Sequence, residues 1–268
     1  METHPGGSAV FVSRFVAAAL YLAGSPAQLA ARGAARFEGI AAPLMLLGLL
    51  WGVMLAVLWE LIYRLTFPTT MNWILPAAAC AALTVLLPYR RACLALGRGL
   101  SGPRRRWPWL EWATLVGQAV AFFAAYHALG WKAPGWLRQL PSGWSWLWPR
   151  AMYRVLVLSP LWGTWSMLVV GKFHRPAPEA DPATRRFLGS VSQASAAAWM
   201  ALPLAGSFIS LLHLAQPLRF VPPAAAIVAA LGGGALLARR RGGLGREVLL
   251  GTGVLTQLAF LGACAAVM

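Results

Sequence analysis

The sequence predicts an all-α protein, a polytopic bundle of about seven transmembrane helices, and three observations carry that reading. The 268 residues are 59% hydrophobic, with a mean hydropathy of +0.63. Only 11% are charged, where a soluble domain carries about a quarter. The net charge is nevertheless +16, and the basic residues sit in short gaps between long apolar runs. A soluble nucleic-acid-binding domain would gather them on one folded surface instead. Nucleic acid is therefore not an expected partner; a bilayer with anionic headgroups is.

Residues 1–38 are expected to form an N-terminal interfacial, amphipathic segment, and 39–268 the transmembrane domain. "AVFVSRFVAAALYLAG" (9–24) is interrupted by Arg14 and is short for a crossing. The first ten residues lack a positive charge and include Glu2, unlike a signal peptide. A helix lying in the interface fits better. In "SPAQLAARGAARF", Ser25 and Gln28 make a capping box with Pro26 at the first helical position. Arg32 and Arg36 follow one turn apart, placed for anionic headgroups.

Seven stretches are long enough to cross roughly 30 Å of hydrocarbon: about 40–63, 71–89, 109–131, 151–171, 191–214, 220–238 and 248–268. The first has Gly48, Gly52, Ala56 and Glu60 four residues apart, a small-residue stripe that admits a close neighbour and points Glu60 into the contact. Arg64, four residues on, offers that carboxylate a simpler partner. The third span gathers Glu111, Thr114 and Gln118 on one face. Gln118 needs a deep partner, which span five (Gln193, Ser195, Ser207, Ser210) or span seven (Thr252, Thr256, Gln257) could supply. Hydrogen bonding between helices is the plain use of such a face, and a polar translocation path the functional one. Pro160 is expected to kink the fourth span. Pro222 and Pro223 suit the first turn of the sixth, which Gly232, Gly233 and Gly234 weaken.

Arginines set the expected topology. If seven spans alternate, 17 of the 23 basic residues fall on one side. They include Arg104, Arg105 and Arg106 after span two, and Arg239, Arg240 and Arg241 after span six. The positive-inside rule then places the N-terminus in the cytoplasm and the C-terminus outside. Both arginine triplets are expected to touch lipid headgroups. The small loops and the preference for arginine over lysine point to a bacterial inner membrane. The outer loop 132–150 holds Trp136, Trp144, Trp146 and Trp148, which with Trp131 are expected to anchor at the outer interface; Trp107, Trp109 and Trp112 mirror them inside. A sugar-stacking platform is the alternative use of the outer set. Glu60, His127, Arg154 and His213 would share that outer end.

The acidic residues number seven, with Asp181 the sole aspartate, too few for the clustered carboxylates that hold Mg²⁺ in membrane phosphotransferases. Cys80, Cys93 and Cys264 form no CxxC pair, and HExxH, GxSxG and Walker motifs are missing. No catalytic residue, metal or cofactor is expected. The candidate intramembrane polar residues are Glu60, Glu111, Gln118 and Arg154. The expected role is a non-enzymatic, permease-like or scaffold subunit working with membrane-protein partners or as a homo-oligomer. The alternatives are an enzyme acting on a lipid at the outer leaflet, or a small-solute transporter.

Overall fold

In the computed structural model, residues 7–25, 28–29, 31, 33, 37–66, 73–86, 90–101, 108–132, 151–212 and 214–268 are described. Among them the structure is all-helical. The helices are α1 (Gly7–Ala23), α2 (Ala41–Thr66), α3 (Ile74–Leu86), α4 (Arg90–Ser101), α5 (Pro108–Lys132), α6 (Ala151–Phe173), α7 (Pro182–Ser190) and α8 (Gln193–Ser210). α9 (Gln216–Val228) then passes through a π-helical turn, Ala229–Gly233, into α10 (Gly234–Arg241), and α11 (Arg246–Val267) ends the chain. One isolated bridge, between Pro176 and Leu244, is the sole β-type pairing among the described residues.

Among the described residues, five helices are long and apolar enough to cross a membrane: α2, α5, α6, the α9–α10 run and α11. α6 and α11 are central. Of their most apolar stretches 83% and 72% is buried inside the protein, against 33–39% for the other three. α2, α8 and α11 pack on α6, and α4 and α9 pack on α11. The outer helices turn apolar side chains outward, including Leu50, Val57, Leu61 and Leu65 of α2 and Val116 and Val120 of α5. That pattern suits lipid, and the protein is a helical membrane protein.

The small-residue stripe does what its spacing dictates. A Cβ on Gly48 would stand 2.5 Å from the Thr164 hydroxyl oxygen, and one on Gly52 would overlap the Val157 backbone. α2 therefore lies backbone to backbone against α6. The same device recurs where Gly163 meets Gln257 of α11.

Three expectations about the spans need correction. Residues 71–89 do not make one straight crossing. α3 has 13 residues, about 20 Å of helix, and the chain turns by 68° into α4. α4, in the basic gap after the second expected span, is an amphipathic helix. Ala92, Cys93, Ala95 and Leu96 are buried, and its arginines keep it from continuing into hydrocarbon. Pro222 and Pro223 do not open the sixth span, because α9 starts six residues earlier, with Pro217 in its first turn. There they leave the carbonyls of Leu218 and Arg219 without i+4 donors. The glycines do not break this span. They widen it into a π turn, and a Cβ on Gly234 would crowd Val170 at 2.7 Å. α8 has the 18 residues of a span but is less apolar than the five, since Gln193, Ser195, Gly206, Ser207 and Ser210 dilute it. α6 runs as helix through Pro160.

Candidate functional site

The basic gaps converge on one end of the bundle. Backbone bonds from Ala177 N to the Leu244 carbonyl (2.8 Å) and from Leu244 N to the Arg175 carbonyl (2.9 Å) pin the segments after α6 and α10 together. Arg240 reaches from α10 to the Leu100 carbonyl of α4 at 3.3 Å. Here a cavity of about 950 Å³ is lined by Arg91, Arg98, Arg241 and Arg246, with Glu179, Asp181 and Glu247 among the remaining walls.

Two of those arginines are neutralised. Arg98 Nε binds Glu111 at 3.0 Å and its Nη1 binds Glu247 at 3.3 Å, while Arg241 Nη2 holds the other Glu247 oxygen at 2.7 Å. This chain of alternating charge ties α4, α5, α11 and α10 at their ends. Gly97 makes the first link possible, because a Cβ there would overlap the Thr114 hydroxyl.

Arg91 and Arg246 do something different. Arg246 Nε donates to the Tyr21 carbonyl at 2.8 Å, and its Nη2 to Leu20 at 3.3 Å and Gly24 at 3.0 Å. Arg91 Nη1 donates to the same Gly24 carbonyl at 2.7 Å. Two guanidinium groups thus serve the unsatisfied carbonyls and negative dipole end of α1. Arg246 also lies 5.5 Å from the centre of the Tyr21 ring.

The Tyr21 hydroxyl meets Thr184 Oγ1 at 3.0 Å. Asp181 accepts from Thr184 N at 2.8 Å and from Thr184 Oγ1 at 2.7 Å, capping α7 with Pro182 in its first turn. Burial pushes the Tyr21 phenol above its ordinary value, so it stays a neutral donor or acceptor. α1 is docked by its polar end and by the buried Ala17, Ala18, Tyr21 and Leu22.

The residues singled out from sequence distribute as follows. Glu111 joins the ion chain, and Arg241 turns inward to Glu247, while Arg239 and Arg240 stay exposed. Glu60 is bound by Arg64 Nε at 2.6 Å and by the Tyr153 hydroxyl of α6, at the opposite end of the bundle. Arg154, next to Tyr153 in α6, is half-buried and donates to the Ile209 carbonyl at 3.5 Å. His127 packs on Phe123 at 5.8 Å. Gln118 is buried, but its partner is on neither span five nor span seven. Its Nε2 donates to the Cys93 carbonyl of α4 at 3.0 Å and to Thr114 O at 2.9 Å. α4 is a helix packed beside α5, so its backbone arrives first. Trp109 and Trp112 are exposed on the first turns of α5. Trp136, Trp144, Trp146, Trp148, Arg104, Arg105, Arg106 and His213 lie outside the described residues, as does the side chain of Trp131.

Sequence reasoning missed Tyr21, Arg91, Arg246 and the capping role of Asp181. Aspartate before proline at a helix start was a readable signal for the last. No group of three or more His, Cys, Asp and Glu among the described residues could hold a metal ion. The three cysteines are buried and unpaired.

Fold and site define a helical membrane protein with a basic cavity at its arginine-rich end. In comparisons with protein-family models, with curated proteins and with solved structures, nothing matches this chain.

Proposed function

We propose that the chain crosses a bacterial inner membrane seven times, N-terminus inside, and acts as a non-enzymatic, permease-like or scaffold subunit of a membrane complex. A parity argument supports seven crossings. Gly24 and Arg91 are hydrogen-bonded, so the chain between them crosses an even number of times. α2 is one crossing and α3, though short, is the other. Arg175 and Leu244 are likewise side by side, so α8 must cross to offset the α9–α10 run. With α5, α6 and α11 the total is seven. The density of arginine at the end shared by Gly24, Arg91, Arg175 and Leu244 favours a cytoplasmic assignment for it.

The subunit role rests on where the deep polar groups point. Gln118 binds the Cys93 carbonyl, Trp162 Nε1 donates to Ser207 at 3.0 Å, Trp165 Nε1 to the Ala196 carbonyl at 3.1 Å, and Thr84 meets Tyr126 at 3.3 Å. Each joins two helices of this bundle. Gln118 Oε1, Ser159 Oγ and Gln257 Nε2 are buried without a hydrogen-bond partner among the described residues, but the four bonds between helices support a rigid framework over a translocation path.

The test is native mass spectrometry of the full chain extracted from its own membrane with its lipids. The expected result is a stoichiometric assembly with another membrane protein or with further copies of the chain. A lone chain that moves a solute or turns over a lipid after reconstitution would overturn the proposal.

A further inference from the structure

Arg91 and Arg246 pose an electrostatic problem that their hydrogen bonds do not solve. Both guanidinium groups reach the Gly24 carbonyl, at 2.7 and 3.0 Å, so two full positive charges are held within a few ångströms of each other. A carbonyl oxygen carries only a partial charge. Among the described residues neither arginine has an ion pair, whereas Arg98 and Arg241 are matched by Glu111 and Glu247. Asp181 and Glu247 lie near enough to favour the Arg246 charge, but neither pairs with it: Asp181 is engaged by Thr184, and Glu247 by Arg98 and Arg241. Glu179 also lines the cavity but is exposed, and it forms no ion pair with either arginine.

The space beside the pair is open. The cavity of about 950 Å³ has room for a phosphate group and its ester substituents. Gly245, which starts α11 without a side-chain cap, lines it too, and a Cβ there would meet nothing within 4 Å. Planar, fork-shaped donors match phosphate oxygens in pairs. The carboxylates on the other walls disfavour a polyphosphate and select a compact anion seated against the arginine wall.

We propose that this cavity binds a single phosphate group, as a monoester, a diester or the free ion, bridging Arg91 and Arg246. The bound anion would neutralise the pair and fix the end of α1 against α4 and α11. The same chemistry has two sources, a phospholipid headgroup entering from the bilayer edge or a soluble phosphate compound. The site does not depend on the subunit role proposed above.

The experiment uses the full chain and two probes, inorganic phosphate in neutral detergent and nanodiscs of phosphatidylcholine with or without phosphatidylglycerol. Binding is read by isothermal titration for the first and by lipid retention in native mass spectrometry for the second. Saturable binding of phosphate points to the soluble source, and selective retention of phosphatidylglycerol to the lipid one. Arg91→Gln should weaken whichever probe binds by about tenfold, the loss of one charge-assisted donor pair. Arg186→Gln, which removes an equal charge at an exposed position outside the cavity, should leave it unchanged. Should Arg91→Gln fail to fold by circular dichroism, Arg91→Lys keeps the charge without the fork and should still weaken binding measurably. Absence of saturable binding by both probes overturns the proposal. So does equal weakening by Arg186→Gln, which would mark diffuse surface attraction.

Discussion

Gly52 of α2 touches the backbone of Val157 on α6 with no room for a side chain between them. With Gly48 against Thr164, this makes α2 and α6 the most closely apposed long helices at that edge of the bundle. Gly52→Val should force the helices apart and lower stability by about 1–3 kcal/mol, the usual cost of overpacking. Gly117, whose Cβ would meet nothing within 4 Å, is the control. Gly117→Ala should gain roughly 0.5–1 kcal/mol from helix propensity. Thermal unfolding in detergent would compare them, and equal effects of the two substitutions would contradict the close approach.

The ion chain Glu111–Arg98–Glu247–Arg241 lies partly open, with side-chain exposures of 16% at Glu111 and 38% at Arg98 and Glu247. Screening therefore limits its worth. A double-mutant cycle on Arg98→Ala and Glu111→Ala should give a coupling of no more than about 1 kcal/mol. The coupling should shrink as salt is added. A value several times larger, or one insensitive to salt, would place the pair in a drier setting than the structure gives it.

How much of this was readable in sequence depends on how far each partner lay. The Gly48–Gly52–Ala56–Glu60 stripe was readable because a four-residue repeat fixes a helix face by itself. The reciprocal bonds of Ser25 and Gln28 (Ser25 N to Gln28 Oε1 at 2.7 Å, Gln28 N to Ser25 Oγ at 3.2 Å) likewise follow from local spacing. Gln118 announced that it needed a partner, but which helix would supply it depended on α4, whose arginines disguised an amphipathic helix as a basic gap. Arg246 carried no local signal. The carbonyls it serves belong to a helix end more than 200 residues away, and only the assembled bundle brings them together.

Tyr21 gives the α1 anchor a pH dependence whose sign can be worked out. Its ordinary value is 10.0, and burial raises it in the folded protein, with Asp181 adding to the rise while Thr184 and Arg246 oppose it. A raised folded value means the contribution is fully present below about pH 10 and is lost as pH climbs through the raised value. Tyr21→Phe removes one hydrogen bond and should cost about 1 kcal/mol at neutral pH. Above pH 10 the gap between wild type and Tyr21→Phe should close, because the unfolded wild type gains stability by ionising its exposed Tyr21 while the folded chain must keep the buried phenol protonated, and Phe has no proton to lose. Unfolding curves that stay parallel through the alkaline range would show that Tyr21 is not buried at this anchor.

The topology is open to a sharper test than charge counting allows. Reporters active only outside the cell, fused after His174, after Gln216, after Gly243 and at the C-terminus, should read off, on, off, on. The Arg175–Leu244 and Ala177–Leu244 backbone bonds require the first and third to agree whatever the absolute orientation. Disagreement between them would overturn the packing of α6 against the α9–α10 run. The Gln216 fusion decides α8, the least apolar of the proposed crossings, whose 18 residues reach about 27 Å. An inactive reporter there would mean that neither α8 nor α9–α10 crosses, since parity lets them cross only together. The absolute orientation rests on the arginines. Moving their end of the bundle across the membrane would oppose a potential worth about 2.3 kcal/mol per charge per 100 mV. Replacing Arg239, Arg240 and Arg246 would confuse this with the loss of the α1 anchor, so the charge test belongs on Arg239 and Arg240 with Arg185 and Arg186, all exposed. Changing those four to glutamine should weaken the bias and leave a minor population with the Gly243 reporter switched on, whereas an unchanged pattern would mean that the remaining basic residues suffice.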